Sequence, residues 1–201
     1  DRIRRVLRIP GEHNVSNALA AWTLAREIGI REDDILRAFS QFTGAWRRFE
    51  LSGIVNGALM IADYAHHPTE LIATIQAARA RFPCRRVWCV FQPHQRQRLH
   101  HLWSEFVEAF DSADRIVIMP VYEVAGREKK SARKMTTSPE LVDALQRRGK
   151  DALYGGSEEQ TADYIKTGAR AGDIILMVGA GDIYHLSDDL VKILQEKKVG
   201  V

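Results

Sequence analysis

The sequence has 201 residues, of which 45% are hydrophobic and 27% charged, and its formal net charge is +3. This composition is typical of a folded globular protein and excludes an intrinsically disordered chain, while the length suits one α/β domain with a small addition. The basic residues are scattered in short pairs, so neither a generic nucleic-acid surface nor a nucleic-acid partner is indicated.

Neither a membrane span nor a signal peptide is visible in the sequence. No apolar run approaches the roughly 20 residues that a spanning helix needs, and no charged-then-apolar segment opens the chain. Cys84 and Cys89 on one extended strand would lie roughly 16 Å apart, too far for a disulfide. We therefore expect reduced cysteines and a soluble cytoplasmic protein. Because the first residue is Asp1, we also expect a fragment of a longer chain.

The first 45 residues predict a short strand and two helices. Residues Arg5–Ile9 have the pattern of a strand that stops at a Pro-Gly pair. Apolar residues at helical spacing predict a helix over His13–Ile28 and a second helix that begins near Asp33. This pattern ends at Gly44, which indicates a domain boundary there.

The rest of the chain alternates strands and helices. An Asn-Gly pair between two apolar runs predicts a hairpin of Arg48–Val55 with Ala58–Ala62. The later predicted elements are a helix after Pro68, strand Arg86–Phe91, a helix with Leu99–Phe110 on one face, strand Arg115–Met119, a polar loop Tyr122–Thr137, a helix capped by Ser138, strand Ala152–Tyr154, helix Ser157–Arg170, strand Asp173–Val178 and helix Ile183–Leu194. Such alternation predicts an α/β fold, with a mostly parallel sheet and helices on both faces.

Polar side chains follow four of the predicted strands. They are Asp63, His66 and His67 after the first, Gln92 and His94 after the second, Tyr122 and Glu123 after the third, and Asp182 after the Gly179-Ala180-Gly181 turn. Each alone could be a helix cap or a solvated loop residue. Ligands of open parallel sheets collect at the carboxyl ends of the strands, so together these residues predict one shared site. The turn at Asp63–Glu70 also leads into a helix N-terminus, which favours an anion.

Two other kinds of site have weaker support. A metal site at His66-His67 lacks a His-x-x-x-His pair or a cysteine cluster, so hydrogen bonding to an anionic substrate is the better hypothesis. A dinucleotide site after the last strand lacks the third glycine of the Gly-x-Gly-x-x-Gly fingerprint, because Tyr184 occupies that position.

Cationic residues near these turns have two interpretations each. Arg96 and Arg98 begin a helix, where a bound carboxylate or phosphate would explain them and simple solvent exposure is the alternative. Arg47-Arg48, at the predicted boundary, either reaches a phosphate across a cleft or lies on a solvated edge strand. His13 and Asn14 open the first long helix, where Asn14 suits a cap and both could bind a purine edge.

Five motifs occur in an order that resembles a known family. They are Gly11-Glu12-His13-Asn14, Arg47-Arg48-Phe49-Glu50, Asp63-Tyr64-Ala65-His66-His67-Pro68-Thr69-Glu70, Phe91-Gln92-Pro93-His94 and Gly179-Ala180-Gly181-Asp182. Together they closely resemble the Mur ligases of peptidoglycan synthesis, over nearly the whole chain. Within that family they are most similar to the ligases that join L-alanine to UDP-N-acetylmuramate. The double-histidine and Phe-Gln-Pro-His motifs are the specific ones.

The resemblance implies a three-domain cytoplasmic enzyme. Residues 1–45 would be the C-terminal tail of the central ATP-binding domain, and residues 46–201 the Rossmann-like C-terminal domain. ATP and Mg²⁺ would activate the lactyl carboxylate of UDP-N-acetylmuramate as an acyl phosphate, which the amine of L-alanine attacks. No Gly-x-x-x-x-Gly-Lys-Ser/Thr loop is present. The phosphate loop is therefore expected outside this chain, and the resemblance implies that the main Mg²⁺ ligands also lie there. We expect the chain to be inactive alone.

The resemblance also implies roles for single residues. The implied contacts are adenine with His13 and Asn14, the ATP phosphates with Arg48, the ribose side with Asp63, and substrate carboxylates with His66, His67, His94 and Arg98. Arg48 and His67 would be the catalytic residues, and no metal ligand is expected among them. Many relatives have Arg-Tyr where this chain has Gln95-Arg96, so a substrate-binding cation is missing or shifted by one residue.

Two alternatives to the alanine ligase stay open. A sister ligase of the same family recycles murein tripeptide and shares the double-histidine turn. A non-catalytic α/β module that binds a nucleotide or anion would also fit a chain without a phosphate loop.

Overall fold

The computed structural model describes residues 2–123 and 136–199, with only the backbone described for 192–199. The helices are α1 Arg2–Val6, α2 Glu12–Glu27, α3 Glu32–Gln41, α4 Pro68–Arg81, α5 Arg96–His101, α6 Trp103–Ala109, α7 Ser138–Arg147, α8 Glu158–Gly168 and α9 Ile183–Val199. The strands are β1 Glu50–Val55, β2 Ala58–Asp63, β3 Val87–Phe91, β4 Arg115–Ile118, β5 Ala152–Tyr154 and β6 Ile174–Val178.

One six-stranded sheet has the order β1-β2-β6-β3-β4-β5. The β1 strand is antiparallel to β2, and all other neighbours are parallel. Val178 at the end of β6 is level with Asp63 on one side and Phe91 on the other. The residues that follow these three strands therefore emerge at the same edge, which we call the carboxyl edge.

Helices cover both faces of this sheet. Along β6, Leu176 and Val178 belong to the core shared with α4, α6 and α7, while Ile175 and Met177 belong to the core shared with α8 and α9. This alternation follows from the period of two in a strand. The predicted α/β fold with a mostly parallel, doubly covered sheet is confirmed.

The first three helices form a small core of their own. Ile3, Ala18 and Leu36, one from each helix, are its buried residues, and Val6 and Leu7 pack against them. The predicted strand over Arg5–Ile9 is wrong, because Arg2–Val6 is helical. The reason is the spacing of Ile3, Val6 and Leu7, which at i, i+3 and i+4 places them on one helical face.

Local turn and capping sequences explain several other elements. The hairpin forms as predicted, and its turn residues Asn56 and Gly57 have φ values of 51° and 80°, as a type I′ turn requires. The α7 helix begins at Ser138, but its cap is Thr137, whose hydroxyl accepts from the Glu140 N–H while the Glu140 carboxylate accepts from the Thr137 N–H.

Three further predictions have mixed outcomes. The helix expected through Leu99–Phe110 is divided at Leu102 into α5 and α6. The polar loop predicted over Tyr122–Thr137 lies mostly outside the described residues, at 124–135. Cys84 and Cys89 are free, as predicted, the first exposed and the second buried.

Across residues 2–123 and 136–199, we find no helix with the length and apolar character needed to cross a membrane.

Candidate functional site

The four predicted sets of polar residues meet at the carboxyl edge. The Gln92 side-chain amide donates to Asp182 at 2.6 Å. The ring centroids of His66 and His94 are 5.9 Å apart, and the His94 ring stacks on Tyr122 at 5.6 Å. The prediction that these side chains share one edge is confirmed. We call His66, His67 and His94 the histidine cluster.

A cavity of about 680 Å³ lies beside this cluster, between the N-terminal helices and the start of α4. Its walls include His13, Asn14, Arg48 and Asp63, which come from α2, the segment before β1 and the end of β2. We call it the α2–α4 cavity. The four residues that the family resemblance assigned to the nucleotide therefore line one cavity, although 50 positions separate the first from the last.

One face of α2 forms a wall of this cavity. Asn14, Asn17, Ala18 and Ala21 line it, and their i, i+3, i+4 and i+7 spacing places them on one side of a helix. Asn14 is not the helix cap: Gly11 holds that position, and the Asn14 side chain donates to the Pro10 carbonyl at 2.6 Å. Asn17 had no predicted role, and its spacing from Asn14 was the available signal.

Asp63 is 7% exposed and holds the segment before β1 in place. One carboxylate oxygen accepts from the Phe49 N–H at 2.9 Å and the other from the Ala65 N–H at 2.8 Å. Burial raises the pKa of Asp63, although these hydrogen bonds and the nearby Arg48 cation partly oppose the increase. The Thr74 side chain also hydrogen-bonds this carboxylate. Because the two oxygens together offer about four acceptor sites, Asp63 can still accept from a ligand.

The two adjacent arginines diverge. Arg48 is exposed, lines the cavity and lies 5.3 Å from the centroid of the Tyr64 ring. Arg47 is only 5% exposed and donates to the carbonyls of Gly179 and Gly181. The glycine turn therefore approaches a side chain of its own protein.

The two adjacent histidines present opposite ring nitrogens. His67 is the cap of α4, and its Nδ1 accepts from the Thr69 N–H at 3.4 Å and lies 2.8 Å from the Thr69 hydroxyl. In the neutral ring, Nε2 of His67 therefore carries the proton and can donate. The His66 Nδ1 lies 2.9 Å from the Tyr64 carbonyl and must donate to it, which leaves Nε2 of neutral His66 as an acceptor.

Glu70 fixes this double-histidine turn. Its carboxylate accepts from the N–H groups of His66 and His67 at 2.9 and 3.2 Å. Burial disfavours the charged carboxylate, but these hydrogen bonds, with His66 and Arg48 nearby, hold the pKa of Glu70 below its ordinary value. Glu70 also lines the α2–α4 cavity, so it connects that cavity to the histidine cluster.

The two cations at the start of α5 have different surroundings. Arg96 forms an ion pair with Glu123 at 2.6 Å. Arg98 has a buried Nη1 atom with no hydrogen-bond partner among the residues that the structure describes. Of this pair, Arg98 is the better candidate for an anionic ligand, since a buried guanidinium nitrogen needs an acceptor.

A metal centre has no support in the described part of the chain, where no group of three or more His, Cys, Asp or Glu side chains could hold an ion. The residues described here therefore do not fit a Mg²⁺ site of their own.

Comparisons of the sequence and the fold with known proteins match one family. The family model for "Mur ligase, glutamate ligase domain" matches residues 47–181. A curated relative from Caldanaerobacter subterraneus subsp. tengcongensis, named UDP-N-acetylmuramate–L-alanine ligase, is 40% identical over 192 residues. That match covers 96% of this chain and 40% of the relative, so the chain spans about two fifths of the relative's length.

Solved structures give the same result. The UDP-N-acetylmuramate–alanine ligase of Thermotoga maritima is similar with a TM-score of 0.76 and 29% identity, over 95% of this chain and 40% of that one. A murein peptide ligase from Psychrobacter arcticus is similar with a TM-score of 0.65 and 27% identity, over 94% of this chain and 38% of that one.

Proposed function

The chain belongs to the Mur ligase family, and from this premise we propose that it forms part of an ATP-dependent ligase that joins L-alanine to UDP-N-acetylmuramate in peptidoglycan synthesis. The observation that carries the proposal is the α2–α4 cavity, in which His13, Asn14, Arg48 and Asp63 converge. The names of the curated relatives support the choice of substrates.

The cavity supports binding of the nucleotide. Its volume of about 680 Å³ suits a ligand the size of a nucleoside. Asn14 and His13 at the start of α2 would bind adenine, and Asp63 would accept from the ribose side. Arg48, which is exposed at the cavity wall, would reach the phosphates.

The histidine cluster supports binding of substrate carboxylates. His67 has its Nδ1 engaged with Thr69, so its Nε2–H is directed to other acceptors. Arg98 adds a guanidinium nitrogen that has no acceptor among the described residues. The His94 ring lies 5.9 Å from the ring of His66. Neutral His66 offers an acceptor, and it would bind a carboxylate only as the imidazolium.

The proposed reaction has two steps. The γ-phosphoryl group of ATP is transferred to the lactyl carboxylate, and the alanine amine then attacks the acyl carbon and releases phosphate. Negative charge develops on the phosphoryl group and on the tetrahedral intermediate, so fixed cations accelerate both steps. Arg48 and His67 are the catalytic residues that we propose from this chain.

The rest of the active site is proposed to lie outside these 201 residues. No phosphate-loop motif occurs in the sequence, and no metal-binding cluster occurs within the described ranges. We propose that residues 1–45 are the tail of a central ATP-binding domain, which would carry the phosphate loop and the Mg²⁺ ligands, and that residues 46–201 are the C-terminal domain. The chain alone would then be inactive.

The test is alanine-dependent phosphate release by the complete enzyme that contains these residues. Arg48→Ala should lower kcat/KM by about 100-fold, as expected for a preorganised cation at a phosphoryl group. Arg81→Ala is the matched control, because Arg81 is exposed near the end of α4 and does not line the cavity. Unchanged turnover in Arg48→Ala would contradict the proposal.

His67 needs a substitution that keeps its capping role. His67→Asn retains a good cap acceptor for α4 while removing Nε2, so we expect strongly reduced turnover with an unchanged fold. His101→Asn, at an exposed position on α5, is the control. Full activity of His67→Asn would assign His67 to capping alone.

The second candidate is a murein tripeptide ligase, which the similarity to the Psychrobacter arcticus enzyme favours. Supplying L-alanine or the murein tripeptide as the acceptor separates the two. We expect turnover with L-alanine and at most a trace with the tripeptide.

The non-catalytic alternative is tested by calorimetry on the 201-residue chain. Our proposal predicts weak ATP binding that does not depend on Mg²⁺. Tight, Mg²⁺-dependent binding would contradict the claim that the phosphate pocket lies elsewhere.

A further inference from the structure

Arg47 and the turn at residues 179–182 have no part in the proposed chemistry, yet they bind each other. The Arg47 guanidinium donates to the carbonyls of Gly179 and Gly181, the second at 3.0 Å. It lies 4.5 Å from the centroid of the Tyr184 ring. The residue is 5% exposed, so a full cation is buried against a turn more than 130 positions away.

The site is built for arginine and not for any cation. One guanidinium nitrogen, Nη2, donates to both carbonyls, while the planar group lies against three aromatic rings, with Tyr64 at 5.0 Å and Trp46 at 5.5 Å as the other two. A lysine ammonium has no planar face and cannot reproduce this geometry. Burial lowers the pKa of Arg47, but a guanidinium remains protonated in proteins.

The main chain of Arg47 is anchored as firmly as its side chain. Its N–H donates to the Glu50 carboxylate at 2.7 Å, and its carbonyl accepts from the Tyr64 N–H at 2.7 Å. Arg47 and Phe49 have φ values of 55° and 50°, a left-handed conformation that non-glycine residues rarely adopt. Arg48 lies between these two residues, so the anchors on either side determine where it points.

The glycine turn connects Arg47 to the histidine cluster. A Cβ atom added at Gly181 would lie 2.4 Å from the Gln92 Oε1 and 2.6 Å from the Tyr122 Cγ. The turn is therefore packed directly on Gln92 and Tyr122, and the Tyr122 ring stacks on His94.

We propose that Arg47 is a positioning residue that clamps the segment before β1 to the glycine turn, so that Arg48 faces the α2–α4 cavity in register with the histidine cluster. This inference rests on the proposed function, because Arg47 is proposed to act through Arg48. It predicts that Arg47 matters for ATP binding although it lines no part of the cavity.

A double-mutant cycle in the complete enzyme tests this proposal. Arg47→Lys keeps the charge but loses the planar guanidinium that lies against the three rings, and we expect a rise of about tenfold in the KM for ATP with less than about a threefold change in kcat. Because Arg47 acts through Arg48, the Arg47→Lys/Arg48→Ala enzyme should be no worse than Arg48→Ala alone. The proposal would be overturned if the losses caused by the two single substitutions multiplied in the double variant. An unchanged KM for ATP in Arg47→Lys would also overturn it.

The cycle also separates this inference from the proposed function. If Arg48→Ala lowers kcat/KM while Arg47→Lys leaves the KM for ATP unchanged, the result contradicts this inference but not the proposed function. An unchanged Arg48→Ala enzyme contradicts the proposed function and the inference with it.

Hydrogen exchange of the same enzymes distinguishes positioning from loss of fold. In Arg47→Lys, exchange should accelerate in residues 45–51 and 179–184 together, while strand β3 stays protected. The Arg81→Lys control should change neither segment. Accelerated exchange throughout the sheet would assign Arg47 to global stability and overturn the positioning role.

Discussion

The two edges of the sheet both bury an aspartate, but they bind it in different ways. At the amino edge, before β6, the carboxylate of Asp173 accepts from Arg86 at 2.6 Å, from the Trp88 indole at 3.1 Å and from the Arg170 N–H at 2.9 Å. At the carboxyl edge, Asp63 accepts from two backbone N–H groups, and its cationic neighbour Arg48 remains exposed.

This difference indicates that the amino edge contributes mainly to stability and the carboxyl edge mainly to ligand binding. The charged groups of the amino edge pair with one another, so they can stabilise the fold but offer little to a ligand. The acids of the carboxyl edge are satisfied largely by the main chain, which leaves Arg48 and one ring nitrogen of His67 available. Substitutions at the amino edge should therefore affect unfolding, and those at the carboxyl edge should affect turnover.

The largest stability effect is expected from Asp173→Ala. Removing the carboxylate leaves the buried Trp88 indole without its acceptor, and it leaves the partly exposed Arg86 with only the Gly168 carbonyl. Loss of a charged acceptor from a buried donor costs about 3 kcal/mol. Urea denaturation of the 201-residue chain measures the free energy of unfolding. Arg48→Ala is the carboxyl-edge counterpart and should change it by less than about 0.5 kcal/mol. Equal losses in the two variants would remove the contrast between the edges.

A matched pair of glycines gives the next largest effect. A Cβ at Gly168, near the amino edge, would lie 2.6 Å from the Trp88 ring, and one at Gly181 would lie 2.4 Å from Gln92. Both alanine substitutions overpack the site, which typically costs about 1–3 kcal/mol. Only Gly181→Ala should also reduce phosphate release by the complete enzyme. A comparable loss of turnover in Gly168→Ala would show that reduced stability alone explains the turnover losses of both variants.

The two aspartates should respond to pH with opposite signs. The pKa of Asp173 is lowered: burial opposes the charged form, but Arg86 and the other donors outweigh it. Its contribution to stability is therefore present above the unfolded pKa of about 3.9 and is lost as the pH falls through the folded value. The pKa of Asp63 is raised by burial. Its contribution is present below about pH 3.9 and is lost as the pH rises through the folded value.

Asparagine variants show in which direction the stability contribution of each aspartate changes with pH. As the pH is lowered from 7, the stability advantage of the wild type over Asp173→Asn should shrink. The advantage of the wild type over Asp63→Asn should grow. Denaturant titrations of the three chains at several pH values provide the comparison, and equal slopes for both variants would contradict the assignment of the two shifts.

The smallest effect is expected at Arg96. Its ion pair with Glu123 is partly exposed, with side-chain exposures of 25% and 51%, and such pairs contribute about 0–1 kcal/mol. Arg96→Gln should therefore change the unfolding free energy little and leave the KM for UDP-N-acetylmuramate unchanged. Arg98→Gln, two positions later, should raise that KM. The reverse ranking would move the substrate-binding cation to Arg96.

The sequence predicted most elements because their signals are local. The Asn56-Gly57 hairpin, the strand-helix alternation and the polar residues after the strands all follow from spacing and turn chemistry. The strand prediction for the first segment is wrong although Ile3, Val6 and Leu7 have helical spacing, because a five-residue helix offers too short a pattern to decide between helix and strand. The packing of Ile3 against Ala18 and Leu36, which are distant in sequence, decides for the helix.

The roles of neighbouring residues could not be separated from sequence. Arg47 and Arg48 look equivalent as a pair, and only the positive φ values and the glycine turn direct one inward and the other to the cavity. The capping role of His67 and the pairing of Arg96 with Glu123 likewise depend on side-chain geometry.

Photoaffinity labelling with 8-azido-ATP is the decisive test of nucleotide binding in the α2–α4 cavity, because it reports where the adenine lies in the complete enzyme. We expect ATP-protected labelling of the peptide around residues 10–21, which contains His13, Asn14 and Asn17, and a loss of that labelling in Arg48→Ala. Saturable labelling confined to peptides outside the α2–α4 cavity would contradict it.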